Sequence, residues 1–243
     1  MEQVTALIKT FLRDEYLFNC VKTLKQHAPA IHIAVADDGH TSDDKEKRLL
    51  SMGVDRYIRL PFNSAPVARG RNLLVNVTET PYVLIGDDDF TYTGQARLPD
   101  LLSMMSVADI AGGAIMERGQ ILHYEGRFYR VSSEAMKMMA LSNGPYCQHE
   151  SVMYQPADYV YNFFIAKTTA LKKVHWDERL RASYEHEDFF LTAKKAGYKV
   201  AYCPNSLAHH RYGPPDSTEY QRYRHSGDRR DKTIFEKKWR FRL

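Results

Sequence analysis

The sequence has few cysteines and no long apolar run. Its three cysteines, Cys20, Cys147 and Cys203, are odd in number and scattered over 243 residues, so the sequence indicates neither a disulfide framework nor a zinc knuckle. The longest apolar runs, such as Tyr82–Gly86, are far shorter than the roughly 20 residues of a membrane-spanning helix. The first residues also lack the basic and apolar regions of a secretory signal. We therefore expect a cytoplasmic protein with reduced thiols.

An excess of charge is also lacking over most of the chain. The formal net charge is +4, but residues 222–243 contain nine basic and three acidic side chains. The rest of the chain is therefore slightly acidic, which is not typical of a nucleic-acid-binding surface, and we predict no nucleic-acid partner. Because 44% of the residues are hydrophobic, the chain can bury a core, and this excludes an intrinsically disordered protein.

Strand-like and helix-like segments alternate along the first half of the chain. The β-rich segment Val4–Thr10 precedes Asp14–His27, which has apolar residues at helical spacing, and the alternation continues to the apolar strand Tyr82–Gly86. Short loops between such segments predict parallel βαβ units. We therefore expect an α/β fold, with a Rossmann-like, doubly wound and mostly parallel sheet flanked by helices.

The second half has a less regular pattern. Gln120–Glu125 and Arg127–Ser132 are predicted to form a hairpin that turns at Gly126. The segment 133–157 has no clear period and is interpreted as a long loop. Asp158–Ala166 is predicted to be a buried strand.

Three adjacent carboxylates, Asp87, Asp88 and Asp89, follow the apolar strand Tyr82–Gly86. Because alternate residues of an extended segment point the same way, Asp87 and Asp89 can share one ligand while Asp88 points elsewhere. Magnesium and manganese prefer such oxygen ligands and bridge readily to phosphates. The alternative is a solvated acidic turn, but the position after a buried strand favours a ligand site.

Four further segments carry residues suited to the same chemistry. Acidic side chains at a strand end can bind a ribose or a base, and arginines at a helix start can bind a diphosphate. A carboxylate at a helix N-terminus can act as a general base, and a histidine can be an additional metal ligand. In the same order as these four roles, the segments are Asp37–Asp38–Gly39, Arg69–Asn72, Glu185–Asp188 and His209–His210. A turn, a solvated helix start, an acidic N-cap and an exposed histidine pair are the respective alternatives.

Taken together and in this order, these motifs resemble inverting nucleotide-sugar-dependent glycosyltransferases of the GT-A fold, of the family 2 type. Within this type, the sequence resembles the catalytic domain of ganglioside-type β-1,4-N-acetylgalactosaminyltransferases. The stretches that carry this likeness are Ile8–Arg13, Gly70–Leu73, Asp87–Phe90, Gly112–Ala114 and Asn162–Thr168. Animal enzymes of this type carry a Golgi anchor and a stem, which are absent from the sequence; we therefore expect a free-standing bacterial enzyme in the cytoplasm.

The resemblance implies a role for each matching position. The nucleoside pocket is expected to contain Thr10, Arg13 and Asp38. Arg71 is expected to lie near the donor diphosphate, and Asp88 is counted among the donor-binding residues. A DXD motif is expected to bind Mn²⁺ or Mg²⁺ through Asp89, Asp87 and His210. The donor sugar or the acceptor is expected to lie near Gly113 and Asp158. The general base is expected to be Asp188, with Glu187 beside it.

The same resemblance implies one GT-A domain over 1–243. A nucleotide-binding half would cover 1–116 and an acceptor and catalytic half 117–221, followed by a basic aromatic tail at 222–243. The donor would be a UDP-sugar that carries an N-acetylhexosamine such as GalNAc, and the acceptor a hydroxyl group of a glycan or glycolipid. One base and no enzymic nucleophile would give inversion of the anomeric centre.

Two other functions and two interpretations of the tail stay open at this point. A nucleotidyltransferase uses similar acidic metal ligands, but it usually has a glycine-rich loop early in the chain, and Thr10–Tyr16 contains no glycine. A catalytically inactive sugar- or lipid-binding module is the other alternative. In Asp231–Leu243, aromatic and basic residues alternate, which predicts either peripheral contact with an anionic membrane or a helix that docks on the core through Phe235 and Trp239.

Overall fold

The structure is a computed structural model that describes residues 1–141, 145–210, 217–225 and 228–241. Strands and helices alternate in its first half as β1 (Val4–Thr10), α1 (Asp14–His27), β2 (His32–Asp37), α2 (Asp43–Ser51), β3 (Arg56–Arg59), α3 (Val67–Asn76) and β4 (Tyr82–Asp87). Helix α1 buries Leu17, Val21 and Leu24 on one face, as expected from their helical spacing.

The second half begins with a short strand and continues with more strands than helices. Its strands are β5 (Phe90–Thr91), β6 (Ile110–Glu117), β7 (Gln120–Leu122), β8 (Gly126–Arg130), β9 (Met136–Ala140), β10 (Cys147–His149), β11 (Val152–Ala157), β12 (Phe164–Lys167) and β13 (Val200–His210). Its helices are α4 (Leu98–Ser103), α5 (Thr168–Leu171), α6 (Glu185–Lys195), α7 (Thr218–His225) and α8 (Asp228–Trp239), with a 3₁₀ turn at Met104–Ser106.

One large sheet forms the centre of the molecule, in the order β10-β11-β13-β6-β12-β4-β1-β2-β3. β1 pairs in parallel with β2 and β4, and β2 with β3. β12 lies antiparallel between β4 and β6, and β6 is parallel to β13. The predicted α/β fold with a mostly parallel sheet and flanking helices is therefore confirmed. The strand order reverses between β1 and β4, where open α/β sheets bind their ligands.

Apolar side chains pack on both faces of this sheet. One core cluster includes Leu17 and Leu24 of α1, and the other includes Leu74 of α3 and Phe189 of α6. In the second cluster the Trp176 ring stacks on Phe189 with centroids 4.2 Å apart. Since α6 is fixed by this aromatic packing, its first turn is held at the carboxyl edge of the sheet.

Two predictions about the second half were wrong, and a third was right only in part. The predicted hairpin does not form, because β7 pairs with β6 and β8 pairs with β9. Gly126 is needed for close packing and not for a turn: a Cβ there would lie 2.1 Å from the Met139 carbonyl oxygen. The interpretation of 133–157 as a loop fails because β9, β10 and β11 lie in it. Only the end of the predicted strand Asp158–Ala166 belongs to a strand, β12.

The C-terminal segment docks on the core through α8. Phe235 is fully buried and Phe241 is buried, so the docking interpretation of the tail is confirmed for the residues described. Trp239 is half-buried. Arg242 and Leu243, which belong to the predicted tail, lie outside the described residues. In the described part of the chain, no helix combines the length and the apolar character that crossing a bilayer requires.

Candidate active site

A cavity of about 220 Å³ opens at the carboxyl ends of β1 and β4. Thr10 and Arg13 approach it from the end of β1, and Asp87, Asp88 and Asp89 from the end of β4. Arg71 of α3, Glu185 of α6 and His210 of β13 also line it. Residues separated by up to 200 positions therefore meet where the topology predicts a ligand site.

The three aspartates point toward different partners. Asp87 accepts hydrogen bonds from Arg71 Nη2 at 2.7 Å and from Asn162 Nδ2 at 3.3 Å. Asp88 accepts from Thr10 Oγ1 at 2.7 Å and from Arg13 Nη1 at 3.1 Å. Because Asp88 is enclosed by protein, burial raises its pKa to about 7, although the Arg13 charge opposes this.

Asp89 lies between two cationic groups. Its Oδ2 is 2.5 Å from Arg13 Nη2 and 2.9 Å from His210 Nε2. Burial raises the pKa of Asp89, but the His210 hydrogen bond and the Arg13 charge outweigh burial, so the pKa is lower than usual. Asp89 is therefore a carboxylate near neutral pH. Its Oδ1 is buried and has no hydrogen-bond partner among the described residues.

His210 joins Asp89 to a second carboxylate. Its Nδ1 lies 3.0 Å from Glu117 Oε2 on β6. Burial lowers the pKa of His210, but the hydrogen bonds and charges of Asp89 and Glu117 raise it to about 9. An imidazole that bridges two carboxylates is held in place on both sides, and it must lose a proton before it can bind a metal.

The acidic residues at the start of α6 separate in space. Glu185 lines the cavity, and its Oε1 is 3.9 Å from Arg71 Nη1. Burial raises the pKa of Glu185, with the Arg71 charge acting against it. Glu187 accepts a 2.6 Å hydrogen bond from the Tyr124 hydroxyl. Asp188 is fully buried and accepts from Lys238 Nζ and Trp239 Nε1 of α8, both at 2.7 Å.

Neither Glu187 nor Asp188 is among the described residues that line the cavity. The physical reason is helical geometry: successive side chains on an α-helix are about 100° apart, so the first turn of α6 divides its carboxylates among different surroundings. The structure thus brings Glu185, and not the predicted pair, to the other polar residues.

Three other predicted site residues also lie outside the cavity lining. Asp38 is fully buried and accepts hydrogen bonds from Lys9 Nζ at 2.5 Å and from the Ala65 amide at 2.8 Å. Its partner Lys9 lines the cavity, whereas Asp38 itself does not. Asp158 accepts from the Phe128 amide and forms an ion pair with Lys194. Gly113 allows close packing, because a Cβ there would lie 2.4 Å from the Phe163 ring and 2.4 Å from the Ser206 carbonyl oxygen.

The cavity also contains residues to which the sequence analysis gave no role of their own, among them Lys9, Asn162, Glu185 and Tyr220. Lys9 and Asn162 stand in the stretches that carry the family likeness, and their polar side chains beside buried strands were an available signal. Glu185 was available as the first residue of a predicted acidic helix start. Tyr220 gave no signal, because its contact with Arg13, a 3.1 Å hydrogen bond, depends on the packing of α7.

Comparison with known proteins identifies the relatives of this chain. The sequence model of Glycosyl transferase family 2 matches residues 5–167. The β-1,4 N-acetylgalactosaminyltransferase 1 of Mus musculus is 31% identical over 245 residues, which are 92% of this chain and 43% of that protein. The β-1,4 N-acetylgalactosaminyltransferase 2 of Mus musculus is 27% identical, with 87% of this chain and 40% of that protein covered. The chain thus spans less than half the length of these curated relatives.

A solved structure with the same fold is that of S. aureus TarS residues 1–349 in complex with UDP-GlcNAc. It superposes with a TM-score of 0.58 at 15% sequence identity, covering 88% of this chain and 60% of that one. At this identity the likeness concerns the fold.

Proposed function

The chain belongs to glycosyl transferase family 2, and from this we propose that it transfers a sugar from a UDP-sugar to a hydroxyl group of a glycan or glycolipid, with inversion. The observation that carries the proposal is the meeting of Asp89, His210, Arg71 and Glu185 in one cavity. These side chains provide groups for a metal, for a diphosphate and for a general base. The relatives named N-acetylgalactosaminyltransferases and the UDP-GlcNAc complex of TarS support a UDP-linked N-acetylhexosamine such as GalNAc as donor.

The residues present fit Mn²⁺ or Mg²⁺. Asp89 Oδ1 is a buried carboxylate oxygen with no hydrogen-bond partner among the described residues, and His210 lies against the same side chain. No group of three His, Cys, Asp or Glu side chains in the described ranges is arranged to hold a metal ion, so further ligands would come from the diphosphate. When bound, the ion would neutralise charge on the departing diphosphate. We assign Asp89 and His210 to the metal and Asp87, held by Arg71, to the donor.

We assign the general base to Glu185. Its side chain is 13% exposed at the cavity wall, where the positive end of α6 and the Arg71 charge favour its ionised form. A carboxylate in this position can take the proton of an acceptor hydroxyl as the oxygen attacks the anomeric carbon. Asp188, the base expected from sequence, is already bonded to two side chains of α8.

Asn162 supports a donor sugar that offers an N–H or O–H group. Its Nδ2 donates to the Asp87 carboxylate, and this orients the amide so that Oδ1 is the acceptor. Asn162 Oδ1 is buried and has no partner among the residues described. An unsatisfied buried acceptor costs about 1–3 kcal/mol, so a hydroxyl or acetamido N–H of the donor would gain a hydrogen bond there.

A panel of UDP-GalNAc, UDP-GlcNAc, UDP-Gal and UDP-Glc tests the proposal. With Mn²⁺ and an oligosaccharide acceptor we expect UDP release and an increase in thermal stability, both strongest with an N-acetylhexosamine donor and lost with a chelator. Release of pyrophosphate from UTP would instead indicate a nucleotidyltransferase. Donor binding without turnover would indicate a binding module, and the absence of UDP binding would contradict the proposal as a whole.

A second proposal concerns the membrane. Because Phe235 is buried in the core, contact with a membrane would depend on the exposed basic side chains of α8, which are Arg229, Arg230, Lys232 and Lys237. We propose that this basic face binds the anionic inner surface of a bacterial membrane peripherally, near lipid-linked acceptors. Each basic side chain near such a surface contributes about 1 kcal/mol.

A further inference from the structure

Helix α8 contacts the segment that carries Glu185 at three places. The first is Asp231, whose side chain is fully buried. Its Oδ2 accepts hydrogen bonds from the backbone amides of Arg181, Ala182 and Ser183 at 2.8, 2.9 and 3.2 Å. A buried carboxylate that accepts three amide hydrogen bonds is a strong anchor, and Ala182 itself lines the cavity.

The second contact is made by Phe235. Its ring centroid lies 5.1 Å from that of Tyr184, the residue directly before Glu185. Tyr184 has a φ of 62°, a left-handed conformation that costs a non-glycine residue of order 1–3 kcal/mol and persists only when the surrounding structure imposes it. The packing of Phe235 on this ring supplies part of that constraint.

The third contact lies one turn into α6. Lys238 Nζ and Trp239 Nε1 both donate to Asp188, which is fully buried. Lys238 also reaches Asp177, 3.2 Å away. The backbone on both sides of Glu185 is therefore tied to the same helix, before it by Asp231 and after it by Lys238 and Trp239.

We propose that Asp231, Lys238 and Trp239, here called the C-terminal clamp, are positioning residues that hold Glu185 at the cavity wall. This rests on the proposed function, in which Glu185 is the general base. Asp188 is then the residue of α6 that accepts the hydrogen bonds of Lys238 and Trp239. The basic and aromatic C-terminal segment is accordingly part of the active-site framework. Reacting groups must be held in a precise orientation. A displacement of the Glu185 carboxylate by about 1 Å can therefore lower kcat by about 100-fold, even when the mutated residue is far from the reacting atoms.

Two clamp variants test this in the full chain. Asp231→Ala removes the amide acceptor, and the double variant Lys238→Met with Trp239→Phe removes both donors to Asp188. Asp231→Asn keeps an acceptor oxygen, so its amide exchange and kcat should stay close to those of the wild type. Lys195→Met, at an exposed lysine at the end of α6, is the matched control.

Hydrogen–deuterium exchange and kinetics are measured on each variant well below its Tm. We expect faster amide exchange over 181–188 while β1 and β4 stay protected. We expect kcat for UDP-GalNAc turnover to fall by up to about 100-fold, with the Kd for UDP unchanged.

Unchanged exchange at 181–183 in Asp231→Ala would overturn the clamp, whether or not the wild type turns over a donor. Faster exchange with an unchanged kcat would show that the contacts are only structural, which also overturns the proposal. A wild type that binds no UDP and turns over no donor contradicts the proposed function instead, and the exchange data still decide whether the clamp exists.

Discussion

Glu185 and Asp188 stand three residues apart on α6, yet their carboxylates have different surroundings. Glu185 faces Arg71 across the cavity, whereas Asp188 is enclosed between α6 and α8. Burial raises the pKa of both carboxyl groups, and each has a cation that opposes this rise. Since Asp188 does not line the cavity and Glu185 does, we propose Glu185 as the acid that meets an acceptor hydroxyl.

The base assignment predicts that Glu185→Gln lowers kcat for transfer by about 10²–10⁴-fold and leaves UDP binding intact. The wild-type kcat should fall as the pH falls through the raised pKa of Glu185, because the base must be ionised, and Glu185→Gln should abolish this dependence. Asp188→Asn should mainly lower the free energy of unfolding, since Lys238 loses a buried counter-charge. The general base would instead be Asp188 if Glu185→Gln changed kcat little while Asp188→Asn strongly lowered kcat without lowering the free energy of unfolding.

Asn162 gives a second prediction at this scale. Asn162→Ala should weaken binding of UDP-GalNAc by about 10-fold, the value of one hydrogen bond, and leave binding of UDP nearly unchanged, because Oδ1 is proposed to meet the sugar. Isothermal titration of both ligands measures this, with Asn76→Ala, an exposed position on α3, as control. Equal weakening for UDP and UDP-GalNAc would mean that Asn162 acts through Asp87.

Helix α6 also carries a buried histidine, His186, and this makes the stability of the folded chain depend on pH. His186 Nε2 lies 2.6 Å from the Val160 carbonyl oxygen. Burial, together with the Arg71 charge, lowers the pKa of His186 to about 4, although the Val160 hydrogen bond opposes this. An unfolded histidine has a pKa of about 6.5, so the unfolded state binds the extra proton between these two values.

Stability should therefore decrease as the pH falls from about 6.5 to about 4, by up to about 1.4 kcal/mol per pH unit from this group. His186→Gln has no proton to bind there, so its free energy of unfolding should depend less steeply on pH in this interval. Urea unfolding at several pH values measures the difference, with the exposed His27→Gln on α1 as control. Identical slopes for wild type and His186→Gln would contradict the depressed pKa.

At the scale of the whole molecule, charge is distributed unevenly between the body and α8. If the basic face of α8 binds anionic membranes, Phe235 and Phe241 cannot assist, because both are buried. The contact should then be electrostatic and be weakened by salt, which shortens the screening length to about 3 Å at 1 M.

Vesicle sedimentation tests this. The protein should pellet with anionic but not neutral vesicles at low salt, and be released at high salt. The double variant Lys232→Glu with Lys237→Glu, at two exposed positions, should stay in the supernatant with an unchanged Tm. Absence of the wild type from the anionic pellet at low salt would contradict the membrane contact.

The sequence by itself determined the architecture of the first half and the polar cluster after β4. Alternating strand and helix patterns are local, and parallel strands place their carboxyl ends at one edge, so a ligand site at Asp87–Asp89 could be predicted. The family likeness added the roles of Thr10, Arg13, Arg71 and His210, which the structure brings to the same cavity.

Only the tertiary structure decided which acid of α6 faces the cavity and what the C-terminal segment contacts. Glu185, Glu187 and Asp188 are equivalent in sequence, because each is an acid in the first turn of one helix. Their directions differ by multiples of about 100°, and the docking of α8 decides which direction is filled by Lys238 and Trp239. Likewise, the pairing of β8 with β9 depends on contacts between segments that have no regular period. The local sequence pattern predicts a helix or a strand. Which segment packs against each face of that element is decided only when the whole chain folds.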